Sequence, residues 1–285
     1  MKKLIFRLLR ISGLPVLVRE FIQKNKVTVL VFHDIDVETA EKTFSYLSRN
    51  YNFISLNRFL EACRKKDNHM LPPKAMVITF DDGHMRNYQL LPVFKKYKVP
   101  ATIFLCSGIV NTLRHYWFRH DKEKIPDQAL KKIPNKDRIA FLREVGFETE
   151  KEYDNPQALS KAQILDMMPF VDMQAHTVFH PILTQCDDEE AKNEIVQSKT
   201  ELETDYGIKI NGIAYPNGNY SEREIHIAKE AGFTCGLTVE AGFNSIESDL
   251  FRIKRLDTND TGDFNELVVK SSGLLSLFKF PTLLK

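Results

Sequence analysis

Ala75-Met76-Val77-Ile78-Thr79-Phe80-Asp81-Asp82-Gly83 is an apolar, β-branched run that stops at two aspartates and a glycine. The six residues from Ala75 to Phe80 predict a buried strand bounded by turn chemistry. Alone, the Asp-Asp-Gly that follows is as readily a solvated turn as a site. Its meaning depends on what the neighbouring strands carry at the same end.

Working outward, Val27 to Phe32 predicts an earlier buried strand, ending in His33-Asp34. Helical spacing through Ala40, Phe44 and Leu47 predicts a helix over Val37–Asn50, and a second helix covers Leu56 to Arg64 before Leu71-Pro72-Pro73. After the Asp-Asp-Gly turn come a helix over Asn87–Tyr97 and a strand over Ala101–Leu105. A charged and aromatic stretch, about 111–156, then breaks the rhythm and reads as an insertion with short helices. Beyond it, Ser160 caps a helix to Met168, and Val171–Ala175 is a strand. A long helix follows from Asp187 to Tyr206, then a strand at Gly212–Tyr215 and a helix at Ser221–Ala231. Strands at Thr234–Val239 and Phe251–Leu256 complete the series.

Strands alternating with helices predict parallel strands in a wound sheet or barrel, with ligands at the carboxyl ends of the strands. Those ends carry Asp81-Asp82-Gly83, His176-Thr177-Val178-Phe179-His180-Pro181, Ala214-Tyr215-Pro216-Asn217-Gly218 and His33-Asp34. A His-x3-His pair is more often surface or core than ligand, and Pro-Asn-Gly alone is a turn. Gathered at one mouth, the set offers N and O ligands for a catalytic metal with a position left for water.

The order and placement of these blocks resemble the polysaccharide deacetylases of the chitin- and nodulation-deacetylase type, carbohydrate esterase family 4. Thr79-Phe80-Asp81-Asp82-Gly83 resembles that family's first motif and His176-Thr177-x-x-His180-Pro181 its second. Leu90-Leu91-Pro92-Val93-Phe94-Lys95-Lys96-Tyr97 leading to Val99-Pro100-Ala101-Thr102-Ile103-Phe104 also fits. The likeness runs over about 27–256 apart from the insertion. It implies an α/β fold, a distorted, incomplete (β/α) barrel of TIM-like type. The expected organisation is an amphipathic extension at 1–26, a barrel domain at 27–261 and a helical tail at 262–285.

Carried over residue by residue, the resemblance makes Asp82, His176 and His180 metal ligands and Asp81 the general base. It makes the Asn217 amide the donor to the developing oxyanion, a contact typically worth ~3–4 kcal/mol. Many members place the general-acid histidine on a late strand, but here the last histidine is His226, inside a helix. Val29-Leu30-Val31-Phe32-His33-Asp34 at the start supplies the match instead, as in biofilm poly-N-acetylglucosamine deacetylases with permuted motif order. His33 is therefore expected to be the acid. The metal expected for such ligands is zinc, with nickel, cobalt, manganese and iron compatible with the same donors.

The pattern is broken at Ala214, where many members carry an arginine that tethers the catalytic aspartate. Arg252 or Arg255 could replace it, and Asp257 or Asp260 could orient His33. His84, beside the turn, reads as peripheral. Trp117 with Tyr116 and Phe118 reads as a small satellite core, with a sugar platform the alternative.

The leading expectation is thus an N-deacetylase acting on an N-acetylated sugar in a surface glycan or its precursor. A catalytically silent glycan binder is the competitor, resting on the missing arginine, and a hydrolase of non-sugar amides is the third reading. The sequence leaves open which sugar is used and whether it is polymeric, lipid-linked or nucleotide-linked.

Of 285 residues, 43% are hydrophobic and 27% charged, so a folded core is expected; a net charge of +2 gives no field to draw nucleic acid. Cys63, Cys106, Cys186 and Cys235 lack CxxC spacing and read as structural thiols, which favours a reducing compartment. Arg7 and Arg10 interrupt the apolar start and no small-residue cleavage site follows, so the cytoplasm or its membrane face is expected. The basic amphipathic start and the apolar Leu274–Phe280 run either pack on the barrel or touch a membrane surface.

Overall fold

The computed structural model describes residues 2–119 and 127–277. Met1, part of the insertion and the end of the tail, including Phe278 to Phe280, lie outside the described residues.

Eight parallel strands form one curled sheet among the described residues: β1 Val27–Phe32, β2 Asn52–Phe53, β3 Ala75–Phe80, β4 Thr102–Leu105, β5 Asp172–Ala175, β6 Gly212–Ala214, β7 Cys235–Leu237 and β8 Leu256–Asp257. Their order is β7-β6-β5-β4-β3-β1-β8, with β2 paired to β3. The fold is a distorted, incomplete (β/α) barrel. Its thinnest part is the last segment, where Ile253 bridges to Leu237 of β7 and Leu256 and Asp257 pair with β1. First and last strands are neighbours, so a permuted motif order costs nothing in geometry.

Both faces of β1 and β3 are buried, and their alternation serves two cores. Leu30, Phe32, Met76, Ile78 and Phe80 pack outward with the helices, while Val27, Val29, Ala75 and Val77 pack inward with Phe104, Cys235 and Leu237. All four cysteines are free and buried. Helix starts carry the capping expected of them: Asp36, Ser55, Asp187 and Asp263 accept from the first turn, and Ser160 and Ser221 form capping boxes with Gln163 and Glu224.

Two local readings are corrected. The helix expected over Asn87–Tyr97 is a 3-10 stretch, Met85–Leu90, followed by an α-helix, Leu91–Tyr97, with Pro92 tolerated in its first turn. The strand expected over Phe251–Leu256 shrinks to Leu256–Asp257, because the segment divides its pairing between two edges. Trp117, Leu130, Leu142 and Phe147 of the insertion form a separate small core with Ile182. No helix among the described residues is long and apolar enough to cross a membrane.

Candidate active site

Register brings the site together. Phe32 lies opposite Phe80, so the residues that follow, His33 and Asp81, leave the sheet side by side, and the Asp81 N–H donates to the Phe32 carbonyl at 2.9 Å. Leu105 lies opposite Ala175, and the His176 N–H donates to the Leu105 carbonyl at 2.8 Å. The backbone then turns sharply. Asp82, Thr177, His180, Asn217 and Asp260 all have positive φ, between 47° and 73°, a conformation that non-glycine residues hold only where surroundings enforce it. Gly83, at φ 77°, sits so close to Leu105 that a Cβ would meet its Cδ2 at 2.6 Å.

Asp82, His176 and His180 converge, with one donor atom from each within 4.8 Å of the others. Asp82 Oδ1 is buried, makes no hydrogen bond, and faces Nε2 of His176 and of His180 at 3.4 Å each. His176 Nδ1 lies 2.7 Å from the Ala214 carbonyl, which only accepts, so that nitrogen carries a proton and Nε2 is the atom turned to Asp82. Burial pushes the His180 imidazole down to about 3, which leaves it neutral. Burial alone would raise Asp82, but the imidazoles of His176, His180 and His84 hold it well below the usual carboxylate range.

One orphaned carboxylate oxygen and the two imidazole nitrogens beside it make three donors that fit a divalent cation. A tetrahedral ion with ~2.0–2.2 Å bonds sets its ligand atoms roughly 3.3–3.6 Å apart, and Asp82 Oδ1 lies 3.4 Å from each imidazole nitrogen. These residues could hold zinc or another divalent ion.

Asp81 faces the cluster from one side, its Oδ2 4.0 Å from His176 Nε2. Burial would raise its pKa, but Arg255 grips both oxygens at 2.7 Å each and the net direction is down. Arg255 is fully buried, whereas Arg252 is turned outward to Asp249 and Glu222. Arg255, not Arg252, thus makes the contact to Asp81 that the sequence lacks an arginine for at position 214.

On the other side, His33 Nδ1 lies 3.4 Å from Asp260 Oδ2, and the same carboxylate accepts the His33 and Asp34 N–H groups at 2.9 and 3.2 Å. Asp257 instead caps the Asn259 N–H. Burial pulls the His33 imidazole down, but Asp260, reinforced by Asp82 and Asp81, overrides it and lifts the pKa to about 9. Its side chain is still 38% exposed, at the rim of the cleft.

The profile named Polysaccharide deacetylase matches residues 68–236, more than half of the chain. The chain belongs to the polysaccharide deacetylase family. Among curated proteins, it is 24% identical over 185 residues to YxkH of Bacillus subtilis, covering 64% of this chain and 51% of that protein. It is also 24% identical over 224 residues to the poly-β-1,6-N-acetyl-D-glucosamine N-deacetylase of Staphylococcus epidermidis, covering 78% of this chain and 66% of that one. The match therefore spans about half the length of the first relative and about two thirds of the second. Two solved structures share the fold: IcaB from Ammonifex degensii (TM-score 0.64, 18% identity, 88% of this chain and 98% of that one) and the Streptococcus pyogenes deacetylase PplD in complex with acetate (TM-score 0.60, 22% identity, 81% and 92%).

Against this family background, one residue was misread in the sequence. His84 is not peripheral: it is buried and its Nε2 lies 2.9 Å from Asp82 Oδ2, so it occupies the one oxygen of Asp82 that does not face the imidazole pair. It caps the 3-10 stretch Met85–Leu90, and the left-handed Asp82-Gly83 pair folds its side chain back onto Asp82; only the adjacency of His84 to the motif could have hinted at this. Asn217 sits in a tight turn closed by Gly218 N–H to the Tyr215 carbonyl (2.8 Å) and Asn219 N–H to the Pro216 carbonyl (3.2 Å). Neither bond uses the Asn217 N–H. Trp117 is core rather than platform; its Nε1 donates to the His180 carbonyl at 2.8 Å and braces that loop. Glu194 braces it too, accepting from Val178 and Phe179 N–H at 2.8 and 2.9 Å.

Proposed function

We propose that this family member is a divalent-metal-dependent N-deacetylase that hydrolyses the acetamide of an N-acetylated amino sugar in a surface glycan or its precursor. The observation that carries the proposal is the ordered triple: the Asp82-His176-His180 cluster, flanked by Asp81 held on Arg255 and by His33 held on Asp260.

In this reading Asp82, His176 and His180 hold the cation, with zinc the metal their donor set favours. When bound, such an ion supplies Lewis acidity, polarising an acetamide carbonyl and easing deprotonation of a water. Asp81, kept ionised by Arg255, accepts the proton of the attacking water. Its lowered pKa makes it a weak base, and a cation held by Asp82, His176 and His180 would ease that proton transfer. The water oxygen bonds to the acetyl carbon, and the Asn217 N–H, unused by its own turn, stabilises the carbonyl oxygen as it gains charge. His33, protonated through Asp260, gives a proton to the amine nitrogen as the C–N bond breaks. The products are acetate and a free amino sugar.

The poly-β-1,6-N-acetyl-D-glucosamine N-deacetylase relative makes a β-1,6-linked N-acetylglucosamine polymer the first substrate to try. The Arg255 contact to Asp81 speaks against a silent glycan binder, whose support was the missing arginine. The test is acetate release from N-acetylated sugars and oligosaccharides by metal-loaded and chelated protein beside Asp81→Asn. Metal-dependent release lost in Asp81→Asn supports the proposal. Metal binding with no release from any glycan, but with release from small cyclic amides, would replace it by the non-sugar reading.

A further inference from the structure

The barrel buries its apolar side chains well, with one exception. Among the described residues, half of the large hydrophobic side chains left exposed fall between Leu4 and Ile22. The first helix, Lys2–Ile11, has two different apolar sides. Phe6 and Leu9 project from one side and pack with Val18, Val269 and Leu274 against the helix Phe264–Ser271. Leu4, Leu8 and Ile11 lie within about 60° of one another on the opposite side, at roughly 100° per residue. They are 59%, 60% and 64% exposed. Beyond the turn at Ser12 and Gly13, Leu14, Leu17 and Phe21 repeat the pattern, and Phe21 is 77% exposed, the most exposed of these large hydrophobics.

Charge completes the description. No acidic residue occurs before Glu20, while Lys2, Lys3, Arg7, Arg10 and Arg19 are basic. Lys2 pairs with Glu266 and Arg10 lies over the Phe264 ring, which ties them to the barrel. Lys3 and Arg7 remain exposed along one edge of the Leu4-Leu8-Ile11 stripe. An outward apolar stripe bordered by cations fits an interface that is apolar within and anionic at its surface, as a bilayer with acidic headgroups is. A partner protein would match the stripe but not specifically the one-signed rim.

We infer that residues 2–22 form a docking surface by which the protein lies on an anionic membrane. Leu4, Leu8, Ile11, Leu14, Leu17 and Phe21 enter the acyl boundary while Lys3 and Arg7 meet the headgroups. Phe6 and Val18 stay clamped to the barrel, so the whole domain is carried to the surface rather than a loose tether. The segment runs into the amino end of β1, and the Lys24 carbonyl accepts from Lys74 N–H at the start of β3 (2.9 Å). His33 and Asp81 are at the other end of those strands, which keeps the cleft free.

The test is co-sedimentation of the full chain with vesicles of phosphatidylcholine alone and with phosphatidylglycerol added, at low and high salt, with light scattering of the protein alone. The expected result is binding to the phosphatidylglycerol vesicles, weakened by salt, and weakened about tenfold or more by Leu8→Ser and by Phe21→Ser. Arg7→Glu should lose binding to the anionic vesicles while circular dichroism is unchanged, which separates the effect from misfolding. No vesicle binding overturns the inference, whether a second copy covers the stripe (a dimer by scattering) or the chain's own residues 278–285 do (a monomer). Binding equal on both vesicles and insensitive to Arg7→Glu overturns the anionic surface. None of these readouts depends on deacetylase activity.

Discussion

Arg255 holds Asp81 by both carboxylate oxygens, Nη1 on Oδ1 and Nη2 on Oδ2 at 2.7 Å each, although the two residues stand 174 positions apart. Both are buried, so the pair is geometry first and stability second: its attraction offsets a desolvation cost of similar size. Its value lies in fixing one orientation of Asp81 and keeping it ionised.

Arg255→Lys replaces a two-pronged grip with a single ammonium. Asp81 should tilt, and kcat/KM should fall by roughly 10²-fold, the scale expected of a 1 Å misplacement. Because Arg255 is the main influence holding the Asp81 pKa down, the acid limb of the pH–rate profile should move to higher pH. Arg255→Met, which leaves a buried carboxylate unpaired, should cost about 3–5 kcal/mol in urea unfolding. An unshifted acid limb in Arg255→Lys would mean that Asp81 is not the titrating base.

His33 should set the alkaline limb. Its pKa is raised to about 9, so the acid form is complete below the ordinary histidine value and is lost as pH rises through about 9. Any stability it draws from Asp260 follows the same sign, present at low pH and fading above that value. Asp260→Asn removes its strongest raising contact, and the limb should move towards neutrality. The measurement is kcat/KM against pH for both proteins; coincident alkaline limbs would count against His33 as the acid.

Cation binding should be visible without any substrate. Asp82 Oδ1 makes no hydrogen bond and faces both Nε2 atoms, so zinc at 100-fold over its Kd should stabilise the fold by about 2.7 kcal/mol. The melting temperature should rise on loading and fall back with chelator. His180→Ala should abolish the rise, and persistence of the full rise in that variant would move the ion elsewhere.

His84 should act through Asp82. With Oδ2 held by His84, Oδ1 is the oxygen left for a cation. Loss of such a supporting contact lowers metal affinity by about 10–100-fold. His84→Ala should show that loss in a chelator competition, and His84→Gln, which keeps a donor, should recover part of it. Equal affinities for all three proteins would reduce His84 to packing.

The Asn217 amide is reached through its neighbour. A Cβ on Gly218 would collide with the Val239 side chain and lie 2.9 Å from its backbone nitrogen, at a φ of 73° that disfavours any side chain. Gly218→Ala should therefore displace the turn and lower kcat by about 10²–10³, the effect of losing one oxyanion donor, with KM little changed. A change confined to KM would point to substrate contact instead.

The sequence by itself determined the strands that carry the site and the residues at their ends. β1 and β3 were legible to the residue, Val27–Phe32 and Ala75–Phe80, because a strand buried on both faces is an unbroken apolar run. Asp81, Asp82 and His176 could be placed at the sheet's carboxyl end because they follow β3 and β5 within two residues, and His180 because it lies four residues beyond His176. What only the tertiary structure decided were the partners of those residues. Arg252 and Arg255 are an odd number of positions apart, so an extended segment turns them to opposite faces, and no local pattern says which face is inside. Asp257 and Asp260 are separated by two left-handed residues, Asn259 and Asp260 itself, that fold only the second back onto His33. His84 was misread for the same reason, since the turn at Asp82-Gly83 reverses its direction. Strand identity is written in short-range periodicity. Side-chain pairing across turns and across 174 residues is set by backbone geometry that exists only once the barrel has closed around it.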